Sequence, residues 1–135
     1  MKYLIGLVMA FALSVQVYAR QMPMEQTPRV LFAESMGASV EAEKVTPIFV
    51  AAANKFGWVV IANEVGKMTL QYNKGNGKHV VTVAVEYDTK AYQIKYVDSI
   101  NMNYEVIDGV AQIHPNYNRW VFNLNKEINN LMHAR

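Results

Sequence analysis

Cysteine is absent from this 135-residue sequence. Disulfides, thiolate nucleophiles and thiolate metal ligands are therefore excluded together, as is lipid attachment through a cysteine behind an export signal. An excess of one charge sign is missing too. The formal net charge is +2, and the charges are scattered, with no basic block and no acidic tail. Nucleic-acid binders carry a clustered basic footprint, and membrane-surface helices carry a basic stripe. Neither pattern is present, so no nucleic-acid partner is expected. Beyond residue 19 no apolar run approaches the roughly 20 residues that a spanning helix needs. Too few strands are expected to close an outer-membrane barrel. Internal repeats and low-complexity tracts are also lacking.

The first nineteen residues do carry a pattern. Lys2 gives a positive start, and Leu4 to Val15 is mostly apolar, broken by Gly6 and Ser14. Val17-Tyr18-Ala19 then sets small residues where a signal peptidase reads, so cleavage is expected between Ala19 and Arg20. An uncleaved anchor would need a longer run and a basic stop behind it, whereas this one ends at Gln16. The mature domain is expected to work outside the cytoplasm, with no integral membrane segment. Lacking disulfides, it must hold together by packing alone, and its size suits one core.

Residues 20–43 read as a flexible leader. Arg20 to Pro28 holds two prolines, Arg29 to Ala33 is apolar enough for an edge strand, and Gly37 to Glu43 reads as a loop. Residues 44–135 read as a single α+β domain. Thr46 and Pro47 suit the cap and first position of a helix, with Val45 and Val50 as a hydrophobic staple. Ile48, Phe49, Ala52 and Phe56 keep helical spacing, and Gly57 is placed to end the helix in a left-handed turn. The period then changes to two. Trp58 to Asn63 is β-rich. Met68, Leu70 and Tyr72 alternate with polar residues, as do Tyr92, Ile94 and Tyr96, and Val81, Val83, Val85 and Tyr87 lie between them. Lys74 to Lys78 is a glycine-containing loop, and Asp108-Gly109 closes a small hairpin. A last helix enters through His114-Pro115 with an apolar stripe of Tyr117, Trp120, Val121, Leu124, Ile128 and Leu131. Asn116, Asn118, Asn123 and Asn125 mostly face away from it. The expected fold is α+β: a four- to five-stranded antiparallel meander with two helices on one face. Its other face, with Thr69, Gln71, Thr82, Glu86, Gln93 and Lys95, is polar enough for solvent.

The C-terminal half carries a resemblance. Tyr92 to Tyr96, Asp98-Ser99, Tyr104 and the run from Ile113 through His-Pro-Asn-Tyr-Asn-Arg-Trp to Val121, with Gly57-Trp58 upstream, resemble a family of small uncharacterised exported proteins of Gram-negative bacteria. The likeness covers roughly residues 44–131, judged by motif order. It implies an exported α+β domain and brings no established activity. Such proteins are often lipid-anchored through a cysteine after the signal. This chain has none, so the resemblance here implies a free periplasmic or secreted protein.

Asp98, Ser99, His114, Tyr117 and Arg119 form the most suggestive polar set. Asp98 and Ser99 end the last long strand, and His114 to Arg119 begin the final helix. If those two ends meet, the helix N-terminus and the Arg119 fork would suit a small anionic or polar ligand. The structural alternative is that Arg119 pairs with Asp98 to pin helix to sheet, and that Tyr117 and Trp120 are core. On the ligand reading, Trp120→Ala unfolds the domain and Arg119→Ala affects binding. No catalytic residue is assigned, because any composition offers a Ser-His-Asp trio and no G-x-S-x-G elbow occurs. His79, His114 and His133 match no zinc spacing, and Met22-Pro-Met24 is a weak soft-metal signal. No metal and no cofactor is expected.

Three functional classes remain. Small size, one free sheet face and the lack of a catalytic set favour a non-enzymatic binding or protein-interaction module, its partner an envelope protein or a small polar ligand. A small hydrolase or anion-ligand enzyme built on the polar set, and a purely structural envelope protein, are the alternatives.

Overall fold

The computed structural model describes residues 20–134. The expected signal segment lies outside the described residues. Strands β1 (Met22–Pro23) and β2 (Val30–Leu31) precede helix α1 (Ala42–Lys55). Strands β3 (Val59–Glu64), β4 (Lys67–Lys74), β5 (His79–Tyr87) and β6 (Ala91–Ile100) follow as an antiparallel meander. The short strands β7 (Glu105–Ile107) and β8 (Val110–Ile113) then lead into helix α2 (Pro115–His133). The main sheet has five strands in the order β2-β6-β5-β4-β3, with both helices contributing to the core on one face. The fold is α+β with the layer arrangement the periodicity implies. A separate three-stranded sheet, β1-β8-β7, adds to it.

Alternation decides the core. Met68 and Leu70 of β4, Val81, Val83 and Val85 of β5, and Tyr92 and Ile94 of β6 are buried against α1 and α2. In α2 the stripe Tyr117, Val121, Leu124, Ile128 and Met132 is buried at intervals of three and four. Trp120 and Leu131, which the spacing also places on that stripe, flank it half-buried. The outer sheet face is drier at its centre than its polar residues imply. Thr82 is buried there, and Gln71 Nε2 donates to its Oγ1 at 3.2 Å.

Helix α1 starts four residues before the cap expected at Thr46. Its N-cap is Glu41, and Pro47 lies inside the helix. The early start brings Val45 fully into the core. The proline forfeits one backbone hydrogen bond near the exposed N-terminal end, and Thr46 Oγ1 turns back to donate to the Ala42 carbonyl at 3.0 Å. The other end matches expectation. Gly57 takes φ +81°, its N–H donates to Asn54, and the Trp58 N–H donates to the Ala53 carbonyl at 2.9 Å. This pair of bonds is a Schellman cap, which delivers Trp58 into the core. Asp108 and Gly109, at φ +51° and +77°, close the β7–β8 hairpin with the backbone that a two-residue turn requires.

The leader is tied to the domain at several points, and β2 lies at the sheet edge within Arg29 to Ala33. β1 pairs with β8, and Gln93 Nε2 donates to the Thr27 carbonyl at 2.8 Å. Asn118 of α2 holds the stretch between them. Its Oδ1 accepts from the Glu25 N–H at 2.9 Å, and its Nδ2 donates to the Pro23 carbonyl at 3.1 Å. Asn118 is therefore buried rather than turned to solvent, because the leader lies across that side of the helix.

Candidate functional site

The five residues of the polar set divide between the two faces of the sheet. Tyr92, Ile94 and Tyr96 point toward the helices, and strict alternation would carry Asp98 the same way. A bulge intervenes. Val83 pairs with Tyr96, but Thr82 pairs with Asp98, so Val97 is an extra residue in β6. The inserted residue turns Asp98 to the outer face beside Thr82 and returns Ser99 to the inner face. There Ser99 Oγ shares a 2.8 Å hydrogen bond with the Tyr96 hydroxyl, whose pKa is raised mainly by burial. Tyr117 is a core residue that meets the Tyr96 ring edge-on at 5.7 Å between centroids, and burial raises its pKa as well. Arg119 is exposed and donates through Nη2 to Asn116 Oδ1 at 2.7 Å.

His114 and Asn116, the latter held by Arg119, do reach a cavity. It has a volume of about 400 Å³ and is lined by Arg20, Lys74, His79, Asn101, Met102, Asn103, His114, Asn116 and Trp120. Several elements converge there. The loop of residues 75–78 folds so that Lys74 and His79 are paired neighbours at the ends of β4 and β5. Asn101 and Asn103 take left-handed φ values of +58° and +55° on either side of the buried Met102. That double reversal lets the Asn101 carbonyl accept from His79 Nδ1 at 3.0 Å and lets Met102 accept from the His114 N–H at 2.7 Å. Asn101 Nδ2 ties the same loop to the Lys78 carbonyl at 2.9 Å.

Charge sets this cavity apart. Among the described residues no Asp or Glu lines it, and no carboxylate pairs with Lys74 or Arg20. A hollow of about 270 Å³ across the sheet also carries arginine and lysine, but its cations are matched by carboxylates. Arg29 faces Asp88 at 3.5 Å and Lys95 faces Glu86 at 3.0 Å. Among the described residues the cavity at α2 carries positive charge that no lining carboxylate balances. Lys74 Nζ lies 5.8 Å from the Trp120 ring centroid, where the ring face favours a cation without neutralising it.

The hydrogen bonds of the two imidazoles define what each can offer. His79 Nδ1 must carry a proton to bond a carbonyl, so Nε2 is an acceptor until it is protonated. His114 caps α2 by accepting the Asn116 N–H on Nδ1 at 3.0 Å, which places its proton on Nε2 as a donor. Desolvation holds the His114 pKa below its ordinary value, aided by the positive charges of Arg20, His79 and Arg119. The neutral form is therefore the one favoured by folding. Its contribution to stability is present in full above the unfolded pKa of about 6.5 and is lost as pH falls from there through the lowered folded value. His114→Asn keeps a capping oxygen and cannot titrate. Urea unfolding between about pH 5 and pH 7 is expected to show a shallower pH slope in this variant than in the wild type. Identical slopes would remove His114 from the acid response.

Sequence reading missed Arg20, Lys74, His79, Asn101, Asn103 and Trp120 as members of one site. The lysine and histidine flank what reads as an ordinary hairpin loop, and Arg20 belongs to the leader. The only local signal was the Asn-x-Asn spacing, because asparagine tolerates left-handed backbone better than most residues. The chain matches no protein-family model, no curated protein and no solved structure.

Proposed function

We propose that this chain is an exported, non-enzymatic binding module that holds a small anion in the cavity formed by Arg20, Lys74, His79 and His114. The observation that carries this reading is the convergence of cationic and N–H-bearing side chains in one hollow without a lining carboxylate. Lys74 supplies a permanent charge, His114 Nε2 a neutral donor, and Asn101, Asn103 and Asn116 offer amides at the wall. A hydrolase reading has less support. Ser99 is engaged by Tyr96, Asp98 lies on the opposite sheet face, and His114 spends Nδ1 on the helix cap.

A protein partner adding a strand to the sheet is the second reading. β3 is an outer strand of the main sheet, and Val59 and Ile61 on it are exposed. A bulge between Val60 and Ala62 interrupts its ladder, and Glu64 with Lys67 charges its end. Both features are the usual means of blunting an edge, so this reading ranks second.

Calorimetric titration with inorganic phosphate at low salt tests the first reading. Binding is expected, with affinity falling at least about tenfold in Lys74→Met, since one charge-assisted hydrogen bond contributes about 1.5–3 kcal/mol. Affinity should also weaken as salt rises, because the cavity is open to solvent. No binding by the wild type, or equal binding by Lys74→Met, would sink the proposal.

A further inference from the structure

Trp120 is a wall of two hollows at once. One is the cationic cavity, and the other is a cleft of about 210 Å³ lined by Phe56, Trp58, Tyr72, Arg119, Trp120 and Asn123. Four of its six lining residues are aromatic. Trp58 and Tyr72 have ring centroids 5.5 Å apart, and Tyr72 and Trp120 are 4.8 Å apart at 55°. The rings thus run as a series from the buried Trp58 to the lip of the cavity. Tyr72 and Lys74 follow one another on the same face of β4, so the aromatic wall and the cation are consecutive inward positions. Arg119 makes a second connection, since it lines the cleft while bonding Asn116 of the cavity at 2.7 Å.

Half-buried aromatic walls with a polar rim favour a ligand that brings an apolar face and removes water from them. Flat walls suit a ring better than a branched chain. Resting on the anion reading above, we infer that the two hollows form one composite site whose ligand is a phosphate-type anion joined directly to a six-membered ring. The anion occupies the cavity at Lys74 and His114. The ring enters the cleft against Trp120 and Tyr72, with Arg119 and Asn123 at its rim.

Three probes separate the parts: inorganic phosphate, phenyl phosphate and glucose 1-phosphate, titrated into the full chain by calorimetry. At least one ring-bearing probe is expected to bind about tenfold or more tightly than inorganic phosphate, the added contact being mainly apolar burial. The better of the two identifies an aryl or a sugar ring. Trp58 and Trp120 are the only tryptophans and both line the cleft, so the same probe should shift the emission. Asn123→Phe fills the cleft from the surface of α2. It should erase the ring preference while leaving inorganic phosphate affinity within about twofold and thermal stability unchanged. Equal affinities for all three probes, or a ring preference that survives Asn123→Phe, would overturn the composite site. If those equal affinities still weaken in Lys74→Met, the anion cavity stands and only this inference falls. Absence of binding by every probe removes both.

Discussion

Trp58→Ala is expected to lower stability by about 3–5 kcal/mol, the range for truncating a buried aromatic residue. Trp58 is 2% exposed, packs against Tyr72, and follows the glycine that ends α1. Its backbone N–H would still close the Schellman cap in the variant, so the loss comes from the emptied volume and the stranded ring faces around it. Small domains have only about 5–15 kcal/mol in hand. The variant should therefore be near its unfolding midpoint in mild urea. Trp120→Ala should cost much less than this, because Trp120 is half-buried at the rim of the core. The stripe in α2 points to Trp120 as the residue whose loss unfolds the domain, and the observed burial moves that role to Trp58. Equilibrium urea denaturation of the two variants distinguishes the cases. Equal midpoint losses would mean that Trp120 is as deeply engaged as Trp58.

Asn118→Ala should cost about 1–3 kcal/mol, because two backbone groups of the leader lose their partner at once. The Asn118 amide acts as a short piece of strand edge, accepting from the Glu25 N–H and donating to the Pro23 carbonyl. Alanine is the better helix former, which offsets a few tenths of a kcal/mol of this. The expected drop in Tm is about 4 °C for each kcal/mol lost. Local loosening should accompany it, read as faster tryptic cleavage at Arg29, which sits between the Asn118 clamp and β2. An unchanged cleavage rate with unchanged stability would show that the leader does not depend on this clamp. The consequence reaches the cavity as well, since Arg20 lies at the start of the same leader and Asn103 Nδ2 meets its carbonyl at 3.4 Å.

Local chemistry settled much of the architecture from the chain alone. Period-two alternation from Met68 to Tyr96 specifies which side chains meet the helices, and the buried valines of β5 obey it. Gly57 and Asp108-Gly109 sit where positive φ is needed, and His114-Pro115 starts α2 because histidine accepts from the second helical N–H while proline has none to lose. These are short-range decisions, each made within a few residues. The start of α1 was not legible, because burying Val45 outweighs the local preference of Thr46-Pro47 for a helix end. The partners that hold the leader were not legible either, since its bonds go to Gln93, Ile113 and Asn118, far along the chain.

The site shows the same division most sharply. Composition offers Asp98, Ser99, His114, Tyr117 and Arg119 as a polar set, and chain order brings two element ends together. One extra residue at Val97 then rotates Asp98 to the far face, an outcome decided by how β6 pairs with β5 and not by any residue type nearby. The cations at Arg20, Lys74, His79 and His114 become neighbours only when leader, loop and helix entrance are packed together. By itself the sequence determined the α+β layers, the α2 start and the character of the core, because those follow from periodicity and capping over short spans. Which charged side chains share a cavity was decided by tertiary structure alone, because charge carries no periodicity and the segments that bear it meet through contacts as many as ninety-five residues apart.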